Sequence, residues 1–275
     1  VKMPRILHYP GSKWNTAQWI IENMPAHETY LEPYFGSGAV LFNKPRSPIE
    51  TVNDLDDDIV NLFEVIRDRK ADLADLVRWT PYSREEYNRA YEYSEDPLER
   101  ARRFLARCWM ARWVKTTRKT DWRHVIDFAA RPSSPAIEWT TLPDKIIAAA
   151  ERLSGVQIEK QPAAKVITRH RRSNVLIYCD PPYLLDTRRG PMYKYEMTVD
   201  DHIELLEVLE KHTGPAIISG YSHPLYDEKL KKWERKTIGV TAEAGVRRTE
   251  VIWINPVAAE HGQQSIFSLP GVESL

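Results

Sequence analysis

The apolar run Val175 to Cys179 (VLIYC) ends abruptly in Asp180, Pro181, Pro182 and Tyr183. Five apolar residues in a row, closed by prolines that cannot donate to a ladder, read as a buried strand with a forced end. Such a strand delivers a carboxylate, a stiffened backbone and an aromatic ring to one point. The segments around it set the fold class. "TYLEP", "ETVND", "VQIEK" and "PAIISGY" read as further strands, with helical patterns between them. Ile59, Leu62, Phe63 and Ile66 keep the spacing of one buried helix face. The alternation predicts an α/β fold.

The middle of the chain breaks that rhythm. Ser83 and Glu86 form a capping-box pattern, predicting a helix to about Ser94. Asp96 and Pro97 open another, predicted to carry Leu105, Cys108, Trp109 and Trp113. "RPSSPAIEWTTLP" reads as a loop, followed by a helix from Pro143 to Leu153. The organisation expected is a catalytic domain in two parts, 1–78 and 143–275, around a mostly helical insert, 79–142. Nine positions from Arg100 to Arg123 are basic and one, Asp121, is acidic, in a chain whose net charge is zero. Bulk charge therefore holds this chain to no polyanion, but a local basic patch remains available.

Cys108 and Cys179 are far apart in sequence, and no CxxC or Cys/His cluster predicts zinc. No run of ~18 apolar residues predicts a membrane span. A soluble chain in a reducing cytosol is expected. Asp54, Asp56 and Asp58 imitate the start of a calcium loop, but Ile59 and Val65 occupy the positions that demand glycine and glutamate. Helix capping accounts for them better.

"LEPYFGSGAVLF" puts Gly36 and Gly38 between a strand and a helix, where backbone can approach a ligand closely. Asp54 ends the next strand, near the ~20-residue spacing at which an acid reaches a ribose. Leu41 stands where a dinucleotide fold needs its third glycine, so a nucleoside without pyrophosphate fits better. "YPGSK" sets Tyr9 and Lys13 around a turn, a ring and a cation side by side. In "DPPY", Asp180 and the Pro181 carbonyl accept hydrogen bonds, and neither proline has an amide to compete. Two fixed acceptors can hold an exocyclic amine, and Tyr183 can stack on a base flipped out of its helix.

In their order, "YPGSK", "LEPYFGSGAVLF", "VNDLDDDIVNLF" and "YCDPPYL" resemble the α-group of adenine-specific DNA methyltransferases, the Dam-type enzymes and their phage relatives. "MYKYEMTVDDHIELL", "IISGYSHPLYDEKL" and "RRTEVIWINP" are similar to the family as well. The resemblance implies a Rossmann-like methyltransferase sheet with S-adenosylmethionine as cofactor and a target-recognition insert. It assigns the cofactor to Tyr9, Lys13, Phe35, Gly36, Ser37, Gly38, Asp54 and Asp180, and catalysis to Asp180, Pro181, Pro182 and Tyr183. Double-stranded DNA is the implied partner, with no metal and no membrane, and the enzyme is expected to be a cytoplasmic monomer encoded by a bacterium or phage. Stacking on Tyr183 uses the ring face, so phenylalanine is expected to replace it. One departure stands out: Pro162 occupies the place where such enzymes often carry an acid for the cofactor's adenine, leaving a backbone group or Gln161 to substitute. Two alternatives stay open. One is an inactive or weak DNA-binding relative, and the other an amine methyltransferase acting on RNA, cytosine or a protein glutamine amide. Arg118, Lys119 and Arg123, at the end of the basic cluster, are expected to face DNA.

Overall fold

The computed structural model describes residues 3, 5–115, 118–127, 134–188, 190–241 and 247–260. Seven strands form one sheet: β1 Thr29–Glu32, β2 Ile49–Asn53, β3 Val156–Glu159, β4 Val175–Cys179, β5 Ala216–Gly220, β6 Glu234–Thr241 and β7 Arg247–Ile254. Their order is β3-β2-β1-β4-β5-β7-β6. The first five pair in parallel, and β7 runs antiparallel to both β5 and β6. The α/β expectation is met.

Parallel neighbours need crossovers, and helices laid on the two faces bury the sheet from both sides. This explains why β4 has no polar alternation: all five of its residues are buried. Leu176 and Tyr178 enter the core on one face, and Val175, Ile177 and Cys179 the core on the other. After β1 the chain builds outward to β2 and β3, then returns to β4 on the other side of β1. Strand order reverses at β1 and β4, the point where ligands bind beyond the carboxyl ends of such sheets.

Helix Asp57–Asp68 begins on Asp56, whose carboxylate accepts from the Asp58 amide at 3.0 Å. Ile59, Leu62, Phe63 and Ile66 are buried as their spacing predicts. Helix Pro97–Met110 joins the same core through Leu105 and Trp109, and the Trp109 indole donates to the Ile6 carbonyl at 2.8 Å.

Three local expectations need correction. The helix after Ser83 ends at Arg89, not near Ser94. Ser83 does accept from the Glu86 amide at 3.1 Å, but the Glu86 carboxylate turns to Arg102 at 2.8 Å. Trp113 lies beyond the helix end at Met110 and is half exposed. Within "RPSSPAIEWTTLP", Pro135–Thr140 is helical, because Ser134 caps the Ile137 amide and Trp139 buries against the core. The sequence reading also passed over β6, whose alternating "ERKTIGVT" gains its place only by pairing with β7.

A buried charge network ties β2 to helix Leu142–Leu153. Glu50, 3 % exposed, accepts from Lys44 at 2.6 Å, from Arg152 at 2.6 and 2.9 Å, and from the Ser47 amide at 3.0 Å. Burial raises the Glu50 pKa, but the bonds from Arg152 and Lys44 outweigh it and hold the group below its ordinary 4.5. Replacing one partner of a buried pair leaves charge uncompensated. Glu50→Ala is expected to cost about 3–5 kcal/mol in urea unfolding at neutral pH. Because the folded-state pKa is depressed, the stability from this ionisation is present above the unfolded value and lost as pH falls through the folded one. The gap between the two proteins should therefore narrow in strong acid.

Candidate active site

A cavity of about 320 Å³ opens at the carboxyl ends of β1, β2 and β4. Its walls bring together segments distant in sequence: Tyr9 to Lys13, Glu32 to Ser37, Asn53 to Asp56, Pro162 to Ala164, Asp180, and Tyr193 to Met197.

Asp54 organises the floor. Its two oxygens accept from the Gly36 amide at 2.8 Å and the Asp56 amide at 2.9 Å, fixing the glycine loop to the end of β2. Burial pushes the Asp54 carboxyl up to about 6, against the pull of those amides. Phe35, Gly36 and Ser37 line the cavity, and the Ser37 hydroxyl meets that of Ser12 at 2.8 Å. Gly38 lies behind this surface and is not part of the lining. It starts helix Ala39–Asn43 with φ 66°, and a Cβ there would come within 2.6 Å of Phe35 and Phe42. Its glycine is required by backbone conformation and packing.

Lys13 crosses from the N-terminal turn to the end of β4. Its ammonium sits 3.0 Å from Asp180 and 3.0 Å from the Gly11 carbonyl, 4.7 Å over the Tyr183 ring and 3.8 Å from Glu250. Lys13 is 7 % exposed and Asp180 19 %. Burial opposes the lysine's charge, but the two carboxylates overcome it and raise its pKa. Burial also raises the Asp180 pKa; Lys13 pulls the other way and Glu250 adds to it. The structure thus brings Tyr9, Lys13, Phe35, Gly36, Ser37, Asp54 and Asp180 around one cavity. Pro182 lines it as well, while Pro181 is buried beneath and Tyr183 stands beyond the lysine.

Several residues at the site escaped the sequence reading. Glu32 ends β1 inside the cavity, 2 % exposed, accepting from the Tyr30 hydroxyl at 2.8 Å. Burial pushes its carboxyl up to about 8. Its position as the last residue of a strand, just before a proline and the glycine loop, was the available signal. Glu250 accepts the Tyr183 hydroxyl at 2.7 Å, so the phenol oxygen is not idle as expected from stacking alone. Tyr221 meets Tyr183 edge-on at 4.7 Å, and Arg248 donates to the Tyr221 hydroxyl at 2.9 Å.

Pro162 lines the cavity at the start of helix Ala163–Arg169, where the acid was expected. Gln161 is engaged elsewhere: its backbone exchanges two hydrogen bonds with the Asn53 side chain, and its own side chain accepts from Lys165. Beside Pro162 the cavity offers Ala163, Ala164 and Leu55, an apolar surface. Among the described residues no group of acids, histidines and cysteines could hold a metal, and no helix is long and apolar enough to cross a membrane.

The basic cluster is less one-sided in space than in sequence. Arg100 and Arg107 pair with Asp58, Arg102 with Glu86 and Glu99, and Arg103 with Glu99 and Glu92. Arg123 is half-buried against Glu138 at 2.8 Å. Lys119 is exposed but donates to Asn88 at 2.6 Å. Arg112 and Arg118 are exposed on a loop closed by an antiparallel bridge between Ala111 and Trp122.

Comparison with known proteins adds independent findings. Residues 9–241 match the family model of the D12 class of N6 adenine-specific DNA methyltransferases. DNA adenine methylases of Salmonella typhi and Salmonella typhimurium are each 24 % identical over 244 residues, covering 81 % of this chain and 82 % of theirs. Among solved structures, a precorrin-8W decarboxylase of Methanobacterium thermoautotrophicum matches over 90 % of this chain and 91 % of its own, with a TM-score of 0.37 and 10 % identity. A crystal structure described as a putative RNA methyltransferase of Pyrococcus horikoshii matches over 90 % and 84 %, with a TM-score of 0.35 and 7 % identity. The family match spans the cavity, the DPPY turn and the helices between β2 and β3 together, and by it this chain belongs to the D12 class of N6 adenine-specific DNA methyltransferases.

Proposed function

We propose that this chain binds S-adenosylmethionine in the switch-point cavity and sets Asp180 against the N6 amine of an adenine turned out of duplex DNA. The observation that carries the proposal is the meeting of Glu32, buried, and Asp180, 19 % exposed, in one cavity with Asp54. Paired carboxylates suit a ligand that carries a sulfonium and an ammonium. Asp54 keeps acceptor capacity beyond its two amides, which suits a ribose diol. Leu55, Pro162 and Ala163 offer an apolar face for a purine ring, in place of the missing acid.

Once bound, S-adenosylmethionine supplies an electrophilic methyl group that a nitrogen lone pair can attack in line. The chain's own part is orientation and electrostatics. The N6 lone pair of adenine is delocalised into the ring, so the amine is a poor nucleophile. Hydrogen bonds from its two hydrogens to Asp180 and the Pro181 carbonyl localise that lone pair and stabilise the positive charge that develops on nitrogen. Asp180, with its pKa raised by burial, is placed to accept the proton the methylated amine releases. Tyr183, held at its hydroxyl by Glu250, keeps a ring for the flipped base.

On the DNA side we assign contact first to Arg118, exposed and on the bridged loop. Lys119 joins it by releasing Asn88, and Arg123 joins only if its ion pair with Glu138 opens.

Asp180→Ala is expected to abolish methyl incorporation into DNA from a host without adenine methylation. Affinity for that DNA should persist, because the change removes an acceptor at the amine and no phosphate contact. Turnover at the wild-type rate would sink the assignment.

Glu32 gives a pH signature. Its raised pKa means that the side chain holds a proton below about 8, whereas a cationic ligand binds the ionised form. S-adenosylmethionine affinity should therefore fall toward acid, by up to roughly tenfold per pH unit below that value. Calorimetry in buffers of different ionisation enthalpy should detect about one proton released on binding, and Glu32→Gln should lose that release.

Arg118→Ala should weaken binding to all sequences and reduce the log–log salt slope by roughly 0.9 if the residue contacts phosphate. A relaxed preference at one base pair would mark it as a base reader instead. Arg123→Ala, by contrast, should lower the unfolding midpoint, since it removes a half-buried ion pair with Glu138.

A further inference from the structure

Glu250 reaches the site because of strand alternation. On β7, Val251 and Trp253 face one core and Ile252 and Ile254 the other. Glu250 shares the face of Ile252, but β5 ends at Gly220, opposite Val251, so Glu250 lies one residue past the end of β5 while still paired with β6. There it is 13 % exposed, bonded to the Tyr183 hydroxyl and within ion-pair range of Lys13.

One ammonium therefore lies between two carboxylates, 3.0 Å from Asp180 and 3.8 Å from Glu250. The closer contact conflicts with transfer. A cation against Asp180 offsets the negative charge that should stabilise the developing positive nitrogen. The second carboxylate offers a way out. We propose that Glu250 is a positioning residue for methyl transfer, which anchors the Tyr183 hydroxyl and takes up the Lys13 ammonium when Asp180 turns to the target amine. The inference rests on Asp180 being the acceptor proposed above. It requires only an exchange of ionic partners: no covalent bond changes and no proton moves. Tyr183 and the Gly11 carbonyl flank the lysine throughout, so the ammonium stays desolvated and directed along a short path.

Two variants separate the two roles. Glu250→Gln keeps an oxygen for the Tyr183 hydroxyl but loses the charge that receives Lys13. Tyr183→Phe loses the anchor but keeps that charge. Methyl incorporation from labelled S-adenosylmethionine into unmethylated genomic DNA should show kcat reduced at least tenfold in Glu250→Gln, with KM for DNA within twofold of wild type. Tyr183→Phe should lose less in kcat. In a Lys13→Met background there is no ammonium to receive, so adding Glu250→Gln should slow the enzyme less than twofold further. A Glu250→Gln enzyme within twofold of wild type, a Tyr183→Phe enzyme at least as slow, or losses that multiply in the double variant would each overturn the proposal.

The same cycle, read by urea midpoints of the ligand-free chain, needs no turnover. Midpoint shifts of Lys13→Met and Glu250→Gln that simply add would refute the Lys13–Glu250 pairing directly. A wild-type chain that incorporates no methyl would instead refute the Asp180 assignment, and with it the hand-over.

Discussion

Parallel pairing of β1 with β4 is the constraint on which the rest of the molecule depends. It sends both strands in one direction, so their carboxyl ends finish together and Glu32 and Asp180 face one cavity. The same pairing requires the chain to leave the sheet after β1 and return. Helices of that excursion cover one face of β4, and Val166 and Ile167 together with Leu205, Leu206 and Leu209 from beyond β4 cover the other, which lets β4 be uniformly hydrophobic. A one-residue slip in this register would turn Tyr178 and Leu176 to the wrong core and swing Asp180 away from the cavity.

Two kinds of buried charge serve different ends here. Glu50 is fully matched by Lys44, Arg152 and the Ser47 amide, and its carboxyl is held in the ionised form. That network belongs to folding. Glu32, Asp54 and Asp180 are under-compensated by comparison, and burial raises the pKa of each. Carboxylates kept short of partners in a cavity are costly to the empty protein and suit a cationic or hydroxyl-bearing ligand that completes them. Lys13 partly relieves the strain at Asp180, and Glu250 is close enough to share that cation.

The basic stretch along and after helix Pro97–Met110 shows how composition misleads when it is read along the chain alone. Nine bases against one acid suggested a local basic patch, yet Arg100, Arg102, Arg103 and Arg107 are matched by carboxylates from helices before the window and from Glu99 at its edge. Charge excess within a window does not survive folding when neighbouring elements bring the counter-charges. The exposed remainder, Arg112 and Arg118 with Lys119, lies on the bridged loop at the end of helix Pro97–Met110.

Local pattern by itself determined the α/β class, the buried strand that ends at Asp180, the glycine loop and the family resemblance, which the comparisons bear out. Those features depend on neighbours in sequence: proline stops a strand, glycine takes φ 66° at position 38, and helical periodicity selects Ile59, Leu62, Phe63 and Ile66. Only the tertiary structure decided that Asp54 clamps the glycine loop, that Lys13 pairs with Asp180, and that Glu250 holds Tyr183. Each of these contacts joins segments that become neighbours only through strand order, and an acid on an antiparallel strand near the end of the chain carries no local mark of the site it reaches. Pairing β7 against β5 placed Glu250 there, because alternation sets it on the face of Ile252, one residue past the end of β5.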